Sequence, residues 1–499
     1  QLTNVQLNGQ HSFGQYKDVE VSWRAAVAKA RRDAPYETGI SYENINGYWS
    51  HDASRVQNYI RFSKVDDKTR SAGVDVVWHL PTERSLTVSG GLDYSDNQRD
   101  AWTRQFRFLA LDGALPFYNR YQRIDYLLSD YNLSQNLLSL VEDTGASGAA
   151  AYDGELKVAA GYLQLEGTIA ENLRGSLGVR YEDGKQRVRP YDIFTGAVTG
   201  APAPLENKYL LPALTVTWNL ADNQQLRFGA SKTIARPQFR ELSPIQYTDP
   251  DNDRLYYGNP NLVDSKLRNF DLRWERYFEA GEYLTAGVFY KHLDRPIEAT
   301  VNESGAVVFQ SFFNAPRARI QGLELDAKKY FPLPAALAWL DGSRLYAAAN
   351  YTWSKSRVSA REGDTVQPFG YAEPVPALLF VRDGSRLQGQ SDHIANLQLG
   401  IEDTDGDLQA TLIANYVSPR ILARGRPGQP DYMEKPGTNL DFVLRKGIRL
   451  GGQKLTAAFA ARNLLNTKHR EYQEGSGQTV DIYRYTRGTS YSASLSLEF

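Results

Sequence analysis

Residues 491–499 alternate without a slip: Tyr491, Ala493, Leu495, Leu497 and Phe499 fall on one side, Ser492, Ser494, Ser496 and Glu498 on the other. A segment with side-chain period two has one oily face and one wet face. The same alternation recurs along nearly the whole chain, yet only 41% of residues are hydrophobic and the mean hydropathy is -0.50. A barrel wall buries only alternate residues in lipid and turns the others toward a watery lumen, so it needs no long apolar run. No stretch approaches the roughly 20 apolar residues of a spanning helix. A closed sheet is the other structure that satisfies every backbone group in lipid. The pattern therefore predicts an all-β fold, a transmembrane antiparallel β-barrel.

Composition narrows the function. Zero Cys among 499 residues removes thiol catalysis, cysteine metal sites and disulfides together. The 31 Tyr and 8 Trp suit girdles at the two lipid–water interfaces, and aromatics also favour strands for their own sake. A net charge of -1 and a pI near 6.7 give no sign of nucleic-acid binding. The chain begins with Gln1 and carries no signal peptide, which reads as a mature, trimmed or partial chain.

Short turns rich in Gly, Pro, Asn or Asp fall at 14–18, 81–85, 170–172, 221–224, 279–282, 332–343, 403–407 and 451–453. These eight turns bracket sixteen strands, and the terminal strand makes about seventeen. Between them lie long connections near 33–69, 111–152, 191–205, 236–264, 298–312, 358–390, 419–436 and 466–487. Short turns inside and long loops outside are the asymmetry of outer-membrane barrels. The lipid face is expected to carry Val74, Val76, Trp78, Leu92, Tyr94, Leu163, Leu165, Leu177, Val179, Leu214, Trp218, Phe228, Phe270 and Leu272. The lumen is expected to hold Glu166, Arg174, Arg180, Glu182, Asp271, Arg273 and Glu275.

Several segments carry more than periodicity. The stretch GASKTIARPQFRELSP from Gly229, YGNPNL from Tyr257, RNFDLRWERYF from Arg268, IQGLELDAKK from Ile320, GQSDHIANLQLGIE from Gly389 and AARNLLNTKHREYQ from Ala460 follow in order, with GTSYSASLSLEF closing the chain. Together they resemble the barrel of TonB-dependent outer-membrane receptors, from about Gly161 onward. The resemblance implies a 22-stranded barrel in the Gram-negative outer membrane, filled by an N-terminal plug and energised through the TonB–ExbB–ExbD complex. A barrel of that size has a plugged lumen. On that reading about five strands and the plug, with its TonB box, lie outside residues 1–499, or a second polypeptide supplies them. The resemblance further implies contact with lipid and lipopolysaccharide, and a role for the terminal aromatic Phe499 in recognition by the barrel assembly machinery.

Ligand capture is expected in the outer loops and upper lumen, where aromatic faces and arginine forks converge. The candidates are Trp102, Arg104 and Arg107 beyond strand four, then Arg236 and Arg240 at a strand-to-loop junction. Tyr247, Tyr256 and Tyr257 flank an acidic loop, and Arg382, Arg386, Arg420, Arg424, Arg426 and Tyr432 crowd two late loops. Such a set suits an anionic or hydroxyl-rich ligand, while single loop Arg and Tyr residues are commonly just solvated. Asp249, Asp251 and Asp253 have spacing that oxygen ligation of calcium could use, although TDPDNDR reads equally as a plain turn. The six His are scattered without an i, i+4 pair, and no G-x-S-x-G elbow is present, so the chain reads as a non-enzyme with no cofactor. Two functions compete. One is an energised importer of a bulky nutrient, either a metal–siderophore complex or an oligosaccharide-like compound. The other is a passive porin or export channel of 16–18 strands. A soluble β-propeller or adhesin would need a regular repeat, and none is seen.

Overall fold

The computed structural model describes residues 1–499 except 16–17, 41, 52–58, 111–120, 145–149, 249–253, 305–306, 335–339, 341, 404–406, 451–452 and 499. Its wall is an antiparallel meander of seventeen strands. They are β1 (Leu2–Phe13), β2 (Val19–Gly39), β3 (Tyr59–Leu80), β4 (Leu86–Ala110), β5 (Ala151–Ala170) and β6 (Leu173–Tyr191). There follow β7 (Leu205–Ala221), β8 (Gln224–Ala235), β9 (Ser265–Tyr277), β10 (Tyr283–Asp294), β11 (Arg317–Phe331) and β12 (Ser343–Ser359). The wall ends with β13 (His393–Asp403), β14 (Leu408–Val417), β15 (Gly437–Leu450), β16 (Gln453–Arg462) and β17 (Ser490–Glu498). Each strand pairs with its neighbours in chain order, and a short flap strand, Leu138–Glu142, adds to the outer end of β4. Among the described residues β1 and β17 each pair on one side only.

All eight expected turns separate consecutive strands as read, including 81–85 between β3 and β4 and 170–172 between β5 and β6. The long connections are shorter than expected near the start. The 33–69 loop shrinks because β2 runs to Gly39 and β3 begins at Tyr59. Those strands keep pairing once past the apolar band, since charged side chains on both faces are as compatible with a ladder as with a loop. At about 3.3 Å per residue, the 25 residues of β4 span roughly 80 Å, well beyond a 25 Å apolar band.

Register settles the faces. Trp78, Val88, Leu165, Leu177, Leu214, Ala230, Phe270 and Tyr290 lie directly opposite one another in turn across β3 to β10. This row points outward, and its members such as Leu177 and Phe270 are exposed on the free chain. The opposite face is polar and internally paired. Arg24 bridges Asp75 and, at 2.9 Å, Asp93. Tyr162 donates to Asp75 at 2.8 Å, and Arg180 donates to Glu182 at 2.8 Å. Gly73 makes room for that network, because a Cβ there would sit 2.8 Å from the Arg24 guanidinium.

Candidate functional site

The long loops fold inward and build small apolar cores against the inner face of the projecting wall. Loop 236–264 begins with a short helix, Phe239–Leu242, closed by a capping box in which Glu241 accepts from the Gln238 N–H at 2.8 Å. Phe239, Leu242, Ile245 and Leu262 of this loop pack on Ala101, Tyr152 and Val188. Those three wall residues are one position out of phase with the lipid-facing rows, so the loop lies in the mouth. Loops 295–316 and 360–392 do the same through Phe313, Ala315, Phe380 and Val381 against Leu293, Ala318 and Val358.

These loops contain their own strands. Gln246–Thr248, Leu255–Tyr257, Val307–Asn314 and Ile297–Ser304 form one sheet; Arg420–Ala423, Tyr432–Lys435, Lys468–Gly475 and Gln478–Thr486 form another. The two are joined where the Arg424 N–H donates to the Ala299 carbonyl at 2.8 Å and the Val301 N–H donates to the Arg424 carbonyl at 2.9 Å. The result is a continuous cap over the mouth.

Arg424 is its pin. The side chain is fully buried, and so is that of Glu298. Nε donates to Glu298 Oε2 at 2.8 Å and Nη2 to Glu298 Oε1 at 2.7 Å. Nη1 donates to Ser385 Oγ at 3.1 Å and Asp431 Oδ2 at 3.0 Å, and Nη2 also to the Arg386 carbonyl at 2.6 Å. All five guanidinium N–H groups are thereby used. Burial alone would favour the neutral form, but Glu298 and Asp431 more than offset it and hold the cation. This corrects the reading of Arg424 as a ligand residue: it has no donor and no surface to offer one. Arg420, half-buried on Glu434 at 2.8 Å, and Tyr432, packed near Ala299, Val301 and Ala423, belong to the same interior.

The other candidates divide into three places. Trp102, Arg104 and Arg107 lie within β4 and not beyond it, because that strand continues to Ala110. Arg104 grips Glu142 at 2.8 Å through two N–H groups and Arg107 pairs with Asp143, so both hold the flap strand. Arg236 donates to Glu182 at 3.0 Å on the inner face. Exposed Arg240 contacts Gln238 Oε1 at 3.1 Å and is close enough to Tyr247 to be felt electrostatically. Tyr247 stacks on Tyr256 with centroids 5.3 Å apart, and Tyr256 on Phe312 at 6.0 Å. Tyr257 faces the other way, against Phe309 at 4.8 Å and Phe369 at 5.2 Å. Burial raises the Tyr247 phenol above its usual range and likewise raises the Glu241 carboxyl. Asp249, Asp251, Asp253 and Phe499 lie outside the described residues.

Arg382, Arg386 and Arg426 line a third place, a cavity of about 770 Å³ with Leu378, Leu379, His393, Met433 and Tyr472. It opens on the outer side of the wall. His393 lies opposite Trp353, and Trp353 opposite Leu323, in a row that continues outward-facing through Val288 and Leu272. Met433 follows Tyr432, whose ring packs into the cap, so Met433 and its cross-strand partner Tyr472 face away from it.

Sequence reading missed Glu298, Phe309, Phe312 and Phe369. Glu298 meets its arginine across 126 positions, so no local pattern marks it. The motif asparagines did carry a signal. Asn259 of YGNPNL donates to the carbonyls of Phe312 at 2.7 Å and Gln367 at 2.8 Å, tying three loops together.

Comparison with known proteins gives the same architecture. The family model described as TonB dependent receptor-like, beta-barrel, matches residues 3–464. Among solved structures, the unliganded ferric citrate transporter FecA aligns with a TM-score of 0.60 at 13% identity, over 100% of this chain and 61% of that one. The siderophore receptor PiuA from Acinetobacter baumannii aligns with a TM-score of 0.60 at 13% identity, over 99% and 63%. The copper transporter OprC aligns with 0.59 at 16% identity, over 100% and 65%. At these identities the likeness is one of fold, and the chain spans less than two thirds of each of those structures. No curated protein matches the chain by sequence.

Proposed function

The chain belongs to the TonB-dependent receptor-like β-barrel family, and from that premise we propose that it forms the wall and extracellular cap of an outer-membrane importer. The cargo is a bulky nutrient, a metal–siderophore complex or an oligosaccharide-like compound, and the TonB–ExbB–ExbD complex supplies the energy. The observation that carries this reading is the cap. Three long loops fold into the mouth with apolar cores and the buried Arg424–Glu298 pair ties loop 418–436 to them, which favours a gated receptor over an open pore. Arg240 with the stacked Tyr247 and Tyr256 are the residues we assign to ligand capture: a cation beside aromatic faces suits an anionic or hydroxyl-rich guest. The open edges of β1 and β17 expose unpaired backbone that lipid cannot satisfy, so further strands completing a ring of about twenty-two are part of the proposal. Here the barrel is a scaffold: loops give specificity, and a plug outside residues 1–499 gives coupling.

The test is accumulation of labelled ferric chelates and oligosaccharides by cells expressing the whole protein, with and without a protonophore. Accumulation that collapses on uncoupling supports the importer. Uptake that persists in uncoupled cells would establish the passive channel in its place.

A further inference from the structure

We infer that Arg254, Glu471 and His469 are positioning residues for capture: the Arg254–Glu471 contact moors the hairpin that carries Tyr247 and Tyr256, and a proton on His469 releases it. This rests on the assignment of those tyrosines to capture and adds a dependence on external acidity. The strands Gln246–Thr248 and Leu255–Tyr257 pair with Tyr247 opposite Tyr256, and Tyr256 is bridged onward at one point, to Gln310. The outer end of the hairpin is held by a side chain. Arg254, one residue before the second strand, reaches out of loop 236–264 to Glu471 in the strand Lys468–Gly475. Their side chains are 18% and 5% exposed, so water and salt screen the contact little.

Glu471 shares its two oxygens between two partners. Arg254 takes Oε2, and His469 Nε2 lies 2.9 Å from Oε1. A carboxylate only accepts, so Nε2 carries the hydrogen and the neutral ring leaves Nδ1 bare. Nδ1 lies 4.0 Å from Glu434 Oε1, and Arg420 Nε donates to Glu434 Oε2 at 2.8 Å. The ring packs on Tyr485 with centroids 4.7 Å apart, and the Tyr485 hydroxyl accepts from Arg487 at 3.1 Å. The charged groups facing His469 are therefore the cations Arg254, Arg420 and Arg487 and the anions Glu471 and Glu434, a surplus of one positive charge that a proton would double. Burial and the three arginines accordingly hold His469 below its ordinary value, against the pull of Glu434. Arg420 faces Glu434 within one hairpin, and Arg487 lies two residues from Tyr485 in another. Arg254 alone of the three comes from a separate loop, so its departure relieves the repulsion without unpairing a strand. The mooring is complete above about pH 6.5 and is lost as the pH falls below it, because the released state binds the proton more readily.

The experiment uses the whole receptor in lipid nanodiscs. Hydrogen exchange at 246–248 and 255–257, corrected for intrinsic rates, is followed from about pH 7.5 to about pH 5. Protection should fall about tenfold or more over that range, the worth of one charge-assisted contact. His469→Gln should keep protection at its high-pH level throughout. Arg254→Gln should lower it at every pH and flatten the profile, and Arg254→Lys should restore much of both. A labelled ferric tricarboxylate and a labelled neutral hexasaccharide, titrated into the same samples, read the consequence. Whichever binds should bind about tenfold weaker at the acid end in the unaltered receptor and equally at both ends in His469→Gln, a comparison in which acid lability of the probe cancels. Binding that ignores Tyr247→Ala would overturn the capture assignment, and exchange would then decide the mooring by itself. Hairpin protection that is flat with pH in the unaltered receptor, that falls equally in His469→Gln, or that survives Arg254→Gln would overturn the mooring.

Discussion

Replacing Arg424 by Met removes the cation but leaves its counter-ion in place. Glu298 would remain a fully buried carboxylate, keeping among the described residues only the Gln388 N–H at 3.0 Å as a donor. Breaking one side of a buried pair in this way costs about 3–5 kcal/mol. The cost falls on the cap and not on the wall, because the partners belong to loops 295–316, 360–392 and 418–436. At 1.4 kcal/mol per decade, protection against amide hydrogen exchange should fall by about two to three and a half orders of magnitude. The amides to watch are Val301, which donates to the Arg424 carbonyl, and residue 424 itself, which donates to Ala299.

The double variant Arg424→Met with Glu298→Met makes the reasoning testable. It removes both charges and leaves an apolar contact, with Asp431 able to turn to water because it is 28% exposed. More than half of the lost protection should return, since a buried pair is commonly replaceable by apolar groups although it cannot be halved. Amides in β6 and β7 serve as internal controls and should not change. Unaltered exchange at residues 299–301 and 420–424 in the single variant would refute the pinning role. A double variant as open as either single would refute the charge argument while leaving the packing one.

Three other outcomes follow from the same structure. Leu495→Arg should block insertion at a cost of about 2–4 kcal/mol, whereas Leu497→Arg, pairing with Leu455 beside the 451–452 turn, should cost roughly 0–1 kcal/mol; heat-modifiable gel mobility ranks them. Gly258→Ala would drive a Cβ to 2.1 Å from the Ser243 carbonyl, a backbone clash, so loop 236–264 should lose order by about 1–3 kcal/mol, seen as faster exchange at 239–246. His469, in the strand Lys468–Gly475, is held below its ordinary pKa by burial, against the pull of Glu434 and with Arg487, Arg254 and Arg420 nearby. Its unfolded form binds the proton more readily, so the outer sheet should be fully stable above about pH 6.5 and weaken as pH falls below it, while His469→Gln flattens the dependence; exchange at 468–486, corrected for intrinsic rates, reads this out.

The wall was legible from sequence because its physics is local. A side chain's face depends on whether its position is odd or even, and short turns declare themselves by Gly, Pro, Asn and Asp, so Leu177 outward and Arg180 inward could be read directly. What could not be read was the reach of β2 to β4 above the membrane, where both faces are polar and alternation falls silent. The site was legible only as a list of arginines. Arg382, Arg386, Arg424 and Arg426 look alike in sequence, yet one is a buried pin and three line an outward cavity, because their partners come from loops over a hundred residues away or from the pleat of a neighbouring strand.

Two of the family-like motifs carry structural asparagines: Asn259 ties its own loop to Phe312 and Gln367, and Asn463 donates to the Gly488 carbonyl at 2.8 Å. Asn314, outside those motifs, accepts from the Val263 N–H at 2.9 Å and donates to the Arg295 carbonyl at 2.8 Å. Each is a short amide that satisfies backbone groups within or between loops, a task that admits few substitutes. Exposed Arg240 takes part neither in these backbone ties nor in the Arg424–Glu298 pair. On the proposed reading specificity sits in the least patterned positions, and exchanging Arg240 and Tyr247 should alter cargo preference while Asn259→Ala should abolish capture of every cargo alike, which binding assays with ferric chelates and oligosaccharides would check.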